Sequence, residues 1–225
     1  MAFTTMAGTS GGGSHITSAD GTFTVPSGPY STVGPCSDED ELPMWVGIGG
    51  INGNGSLWQA GVTAYILGSS GCTSSVEYTA WYEAYPWASV PVPVTVCTNE
   101  PFTVDLTING TGAWATFGSC GSYTAHVKDF VPDETTADWV VEEVKGSPIM
   151  NFPTIDFGVG TYYDGGRGTT LSGPSAPLME LNAINPTLNN TFPYYQNQYA
   201  DPTYYTTSGF DVSYSYECTI PGCIE

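Results

Sequence analysis

With 225 residues the chain is long enough to bury one sizeable core, and 22 acidic side chains against 3 basic ones give it a formal net charge of −19 at neutral pH. Such a charge repels nucleic acid and anionic membrane surfaces, so neither is expected as a partner. Charged residues make up only 11% of the chain, and as pH falls toward ~4 the carboxylates protonate without leaving a large positive charge behind, which suits an acidic medium.

Residues 1–20 read as a flexible leader of small polar residues, and residues 21–225 as a single domain. The first strand expected is Gly21–Val25, where Thr22-Phe23-Thr24-Val25 alternates polar and apolar before Pro26 ends it. The acid cluster Asp38, Glu39, Asp40 and Glu41 then reads as part of a solvated loop. Short β-rich runs follow at Met44–Ile48, Leu57–Leu67, Tyr78–Tyr85, Phe102–Ile108, Ala113–Phe117, Tyr123–Val127, Trp139–Val144 and Phe210–Tyr216, separated by turn residues. Helix is expected at most as a turn near Asp133–Ala137 and around Ala176–Asn182, where Pro174 and Pro177 oppose it. Residues 185–207, rich in Pro, Asn, Tyr and Thr, read as a long surface excursion. Many short strands with Gly and Pro turns predict an all-β sandwich of two antiparallel sheets, jelly-roll-like or concanavalin-like, with little helix.

Six cysteines, Cys36, Cys72, Cys97, Cys120, Cys218 and Cys223, occur without a C-x-x-C pair, and the chain has 2 histidines, His15 and His126. Disulfides fit that pattern better than a metal centre, with the connectivity left open, and no cofactor is expected. N-x-S/T sequons at Asn54, Asn109 and Asn189 add weight to secretion and glycosylation. No run approaches the ~20 apolar residues of a membrane span. The start of the chain lacks the basic and apolar regions of a signal peptide, so that peptide is expected to be missing or removed.

The G-x-S-x-G string at Gly8–Gly12 falls within the small-residue leader and not at a strand-to-helix elbow, no H-E-x-x-H zinc motif occurs, and the DTG and DSG triplets of paired-aspartate peptidases are absent. Carboxylate and amide chemistry is left. Four segments carry it: Trp45-Val46-Gly47-Ile48-Gly49-Gly50, Leu57-Trp58-Gln59-Ala60-Gly61-Val62, Ala80-Trp81-Tyr82-Glu83-Ala84-Tyr85-Pro86 and Ala137-Asp138-Trp139-Val140-Val141-Glu142. In this order they resemble the glutamic peptidases, the eqolisin family of acid endopeptidases, across roughly residues 20–217.

The resemblance implies a double-sheet sandwich and a catalytic pair at Gln59 and Glu142, with Trp45 and Glu83 as supporting residues. The roles are chemically coherent. A carboxyl group can take a proton from attacking water and return one to the leaving amine, while a glutamine amide can hold that water and donate to the oxyanion. Glu143 is the rival to Glu142, because adjacent strand residues face opposite sides, and the motif register selects Glu142. Two features depart from the family pattern. Gly49 stands where many members carry an aspartate, which leaves Asn52 as an alternative support, and the family's N-W-x-G strand has no counterpart before Trp45. The expected molecule is a secreted, monomeric endopeptidase acting on protein or peptide substrates. Two other readings are a jelly-roll glycoside hydrolase using Glu83 and Glu142, and a non-catalytic secreted binding module.

Overall fold

Period-two alternation divides the chain into buried and outward-facing side chains, and the layers follow from it. The computed structural model describes residues 5–28, 30, 40–50, 55–67, 75–143, 151–171, 178–179, 181–183, 198–205 and 209–216. One sheet is built from β1 (Thr5–Gly12), β3 (Asp40–Gly49), β4 (Leu57–Leu67), β5 (Ser75–Tyr85), β6 (Val90–Pro91), β10 (Thr136–Glu143) and β14 (Leu178–Met179). Its order is β14-β1-β10-β3-β4-β5-β6. The second holds β2 (Ile16–Thr24), β7 (Pro101–Asn109), β8 (Gly112–Ser119), β9 (Gly121–Lys128), β11 (Ile155–Gly158), β12 (Gly160–Asp164), β13 (Arg167–Leu171), β15 (Leu181–Ala183), β16 (Gln198–Tyr205) and β17 (Gly209–Tyr216). Its path runs β15-β16-β17-β11-β2-β7-β8-β9, with β12 added against β2 and β13 against β12. All pairings between these strands are antiparallel, and no helix occurs among the described residues.

The core lies between the sheets. Met44, Val46 and Ile48 of β3, Trp58, Ala60 and Val62 of β4, and Ala137, Trp139 and Val141 of β10 face Phe23, Phe102, Val104, Phe117 and Phe157 of the second sheet. Trp58 reaches across, donating from Nε1 to the Trp114 carbonyl at 3.0 Å. Cys97 and Cys120 form a disulfide between the segments entering β7 and joining β8 to β9. The other four cysteines lie outside the described residues.

From Thr5 onward the expected leader is strand and turn, and residues 1–4 lie outside the described residues. Thr5–Gly12 is paired along its length with β10, Met6 against Glu142 and Ser10 against Asp138, and residues 16–20 open β2. Its small residues have a reason. The Tyr162 ring lies so close to Gly11 that an added Cβ would sit 2.9 Å from Cζ, and the Tyr162 hydroxyl donates to the Gly12 carbonyl at 3.2 Å. The turn into β2 is fixed by Asp164 Oδ1, which accepts from the backbone N–H of Ser14 at 3.2 Å and His15 at 2.8 Å, and by the His15–Glu134 contact. Around Ala176–Asn182 the backbone forms the short strands β14 and β15, consistent with prolines that deny a helix its donors. Residues 134–135 form a turn that leads into β10 at Thr136. Asp40 and Glu41 belong to β3, whereas Asp38 and Glu39 lie outside the described residues. Within 185–207, β16 pairs with β17.

Candidate functional site

The seven-stranded sheet has a second face, turned away from the core, and alternation places every odd residue of β3, β4 and β5 there. Registers then define rows across it. Asp138, Gly47, Gln59 and Glu83 form one row across β10, β3, β4 and β5, and Val140, Trp45, Gly61 and Trp81 form the next. Trp45, Trp81 and Val140, with Leu57 against them, make a small apolar cluster separate from the main core.

Trp45 lies over this face because two neighbours have no side chain. A Cβ on Gly47 would come within 2.7 Å of the indole Cζ3, and one on Gly61 within 2.7 Å of Trp45 Cβ. Lying there, the indole donates from Nε1 to Glu142 Oε2 at 2.7 Å. Glu142 sits beyond Val140 on β10, and burial pushes its carboxyl up to about 7, with the Trp45 bond opposing the rise and the negative charge of Glu83 adding to it.

Gln59 is buried at 7% exposure. Its amide donates to the Glu83 carboxylate, which burial raises and this bond lowers. Gln59 Oε1 is buried without a partner. One end of the amide is therefore anchored and the other is an unused acceptor, an expensive arrangement unless something binds there. Beside them Trp81 Nε1 donates to Thr63 Oγ1 at 2.8 Å, which fixes the far wall of the cluster.

Four residues singled out from sequence, Gln59, Glu142, Trp45 and Glu83, are thus linked on one face by two hydrogen bonds and the Glu83–Glu142 interaction. Gly49 contributes backbone only. It has φ of +90°, and an added Cβ would meet the Ser56 carbonyl oxygen at 2.7 Å and overlap the Asp133 carbonyl, so an aspartate has no room in this conformation. Asn52 lies outside the described residues, as does the side chain of Glu143, whose backbone pairs with Thr5. Asp138 went unnoticed as a buried acid in the sequence. The alternation that brings Glu142 to this face brings Asp138 there too, and that was the available signal.

The arrangement can bind a water or carbonyl between an amide acceptor and a carboxylic acid, and exchange protons with it. Comparisons agree with a proteolytic use. The Peptidase A4 family profile matches residues 4–201. A scytalido-glutamic peptidase bound to a transition-state analog inhibitor superposes with a TM-score of 0.72 at 20% identity, over 96% of this chain and 100% of that one. SCP-B, an eqolisin in complex with the tripeptide Ala-Ile-His, gives 0.69 at 18% identity with the same coverage of 96% and 100%. Aspergilloglutamic peptidase from Aspergillus niger gives 0.61 at 22% identity, over 79% of this chain and 100% of that one. No curated protein matches the chain by sequence.

Proposed function

The chain belongs to the peptidase A4 family, and from that premise we propose that it is a secreted, acid-acting glutamic endopeptidase whose working pair is Gln59 and Glu142. The observation that carries the assignment is the Glu142 carboxyl, held by the Trp45 N–H on the face it shares with the unpartnered oxygen of Gln59. Because burial raises Glu142 to about 7, the form available in an acidic medium is the carboxylic acid.

Reaction from that form closes its proton balance. Gln59 Oε1 accepts a hydrogen bond from the attacking water, and the amide N–H not engaged by Glu83 faces the developing oxyanion. As the water oxygen bonds to the scissile carbon, Glu142 gives its proton to the carbonyl oxygen and receives one from the water. The resulting gem-diol collapses with rupture of the C–N bond. Glu142 protonates the departing nitrogen and takes a proton from a gem-diol hydroxyl, so the acid is regenerated beside a carboxylic acid and an amine. Trp45 stabilises the carboxylate whenever it forms.

Substrates on this reading are extended peptides or unfolded proteins, and no metal or cofactor is required. The Cys97–Cys120 disulfide and the exposed sequon residue Asn109 at the β7–β8 turn support an extracellular location. Monomeric action without nucleic acid or membrane partners is part of the proposal, supported by the net charge of −19.

Glu142→Gln should reduce hydrolysis of a denatured protein substrate by at least ~10²–10⁴-fold, and Gln59→Ala by roughly 10²–10³-fold. Both variants should unfold at temperatures near that of the parent. Full activity in a folded Glu142→Gln protein would sink the assignment. Glu83→Gln separates the glycosidase alternative, which needs Glu83 as an acid or nucleophile.

A further inference from the structure

Asp138 stands on the same face of β10 as Glu142 and is completely buried. Its surroundings provide one hydrogen bond. Thr136 Oγ1 donates to Oδ2 at 3.1 Å, while Oδ1 has no partner. A carboxylate presents two oxygens with about four acceptor sites, so here the anion would be left almost wholly unsolvated, one of the costliest states a fold can hold. The neutral acid has much less to satisfy.

No cation on the neighbouring described strands relieves this. On one side is β1, whose Thr5–Gly12 sequence contains no ionisable residue and sets Ser10 against Asp138. On the other side is β3, which sets Gly47 against it, with Trp45 and Leu57 packed over that glycine. The ionisable groups of β3, Asp40 and Glu41, lie at its opposite end. Beyond Gly47 the row continues through Gln59 to Glu83, and Glu142 follows along β10; with Glu77, Tyr65 and Tyr85 farther along β4 and β5, the titratable groups sharing this face with Asp138 among the described residues include no base. Lys128 and Arg167 belong to β9 and β13 of the second sheet, and Lys145 lies outside the described residues.

We propose that Asp138 is kept as the neutral acid and serves as a positioning residue: its proton keeps β10 seated between β1 and β3, and its loss at higher pH destabilises that seating. Burial raises this carboxyl well above the usual range, against the weaker pull of the Thr136 hydroxyl. The sign follows. An acid that holds its proton more tightly when folded contributes stability that is complete below about 4, and that stability drains away as pH rises toward the folded value. Seating of Glu142 as a working group rests on the peptidase reading, whereas the titration of Asp138 does not.

Melting temperatures of the parent, Asp138→Asn and Thr136→Val proteins, recorded from about pH 3 to about pH 8, test the proposal. The amide has nearly the shape of the acid but cannot ionise, so the Asp138→Asn curve should fall less steeply with pH than the parent curve. Thr136→Val removes the one donor to the anion among the described residues and should carry the fall on to higher pH. Parallel curves for all three would overturn the proposal, since a merely structural role moves stability equally at every pH. Should Asp138→Asn fail to fold, infrared spectra of Glu142→Gln near neutral pH decide: a carboxylic C=O band that Thr136→Val shifts in frequency supports the neutral acid, and its absence refutes it. Divergent melting curves in a protein that cleaves nothing would remove the peptidase reading and leave the Asp138 assignment standing.

Discussion

On the proposed assignment, the hydrogen bond between Trp45 and Glu142 has a predictable effect on the working range. The carboxyl is raised to about 7 chiefly by burial, and the indole N–H at 2.7 Å is the interaction that supports its anion. Trp45→Phe keeps an aromatic ring but deletes that donor. A hydrogen bond to a charged group contributes ~1.5–3 kcal/mol, so kcat should fall by about ten- to a hundredfold, because the carboxylate that forms during proton transfer loses its partner. The pH dependence has a definite sign. If the acid is the working form, kcat/KM is level at low pH and falls as pH rises through about 7. In Trp45→Phe that fall should move to higher pH, since the anion is less supported. A fall that moved lower would mean that another group governs the limb.

Trp139 plays the equivalent part between elements. It lies on β10 of one sheet, and its indole enters the other sheet where β2 and β12 each present a glycine. A Cβ on Gly21 would come within 2.7 Å of Trp139 Nε1, and one on Gly160 would overlap the ring. The same Nε1 donates to the Asp20 carbonyl at 3.0 Å. Gly160→Ala should therefore destabilise the protein by about 1–3 kcal/mol through overpacking, measured by urea unfolding, and should lower activity because the strand that carries Glu142 is displaced. A neutral substitution would show that β12 yields to the added methyl group.

This lock explains what the sequence made legible. β4, β5, β7, β8 and β17 announce themselves by apolar residues at every second position, and Gln59, Glu83, Trp45 and Glu142 are embedded in such runs, so both their strands and their motif order were readable. The β1 strand carries no such signature. Apart from Met6, Thr5–Gly12 is made of small residues, one of which, Gly11, leaves room for the Tyr162 ring, and such a strand has the composition of a linker. The lack of room at Gly49 was hidden for a related reason, because the atoms filling it are carbonyls of Ser56 and Asp133, distant along the chain. Burial of Asp138 was also hidden, since alternation gives the face of a residue but not what covers that face.

Across the whole molecule these acids act together. Asp20, on the second sheet, is raised by burial and by the charge of Asp105. Glu83, Asp138 and Glu142, on the first, are each raised chiefly by burial. All four shifts have the same direction, so the folded state binds more protons than the unfolded chain wherever pH lies between the two sets of values. Stability must then fall as pH rises through that window, from about 4 upward. For Glu142 alone, a rise from 4.5 to about 7 corresponds to ~3 kcal/mol of stability lost across the window. General repulsion adds to the loss, because a net charge of −19 develops as the carboxylates ionise, with only 3 Lys and Arg to offset it. Unfolding followed by urea at a series of pH values should give its highest midpoint in the acid range and a steady decline toward neutrality. A maximum at or above neutral pH would contradict the shared direction of the four shifts. The acidic medium inferred from composition and the buried carboxyls of the site are in this sense one property: protons stabilise the fold under the same conditions in which Glu142 carries the proton it is proposed to transfer.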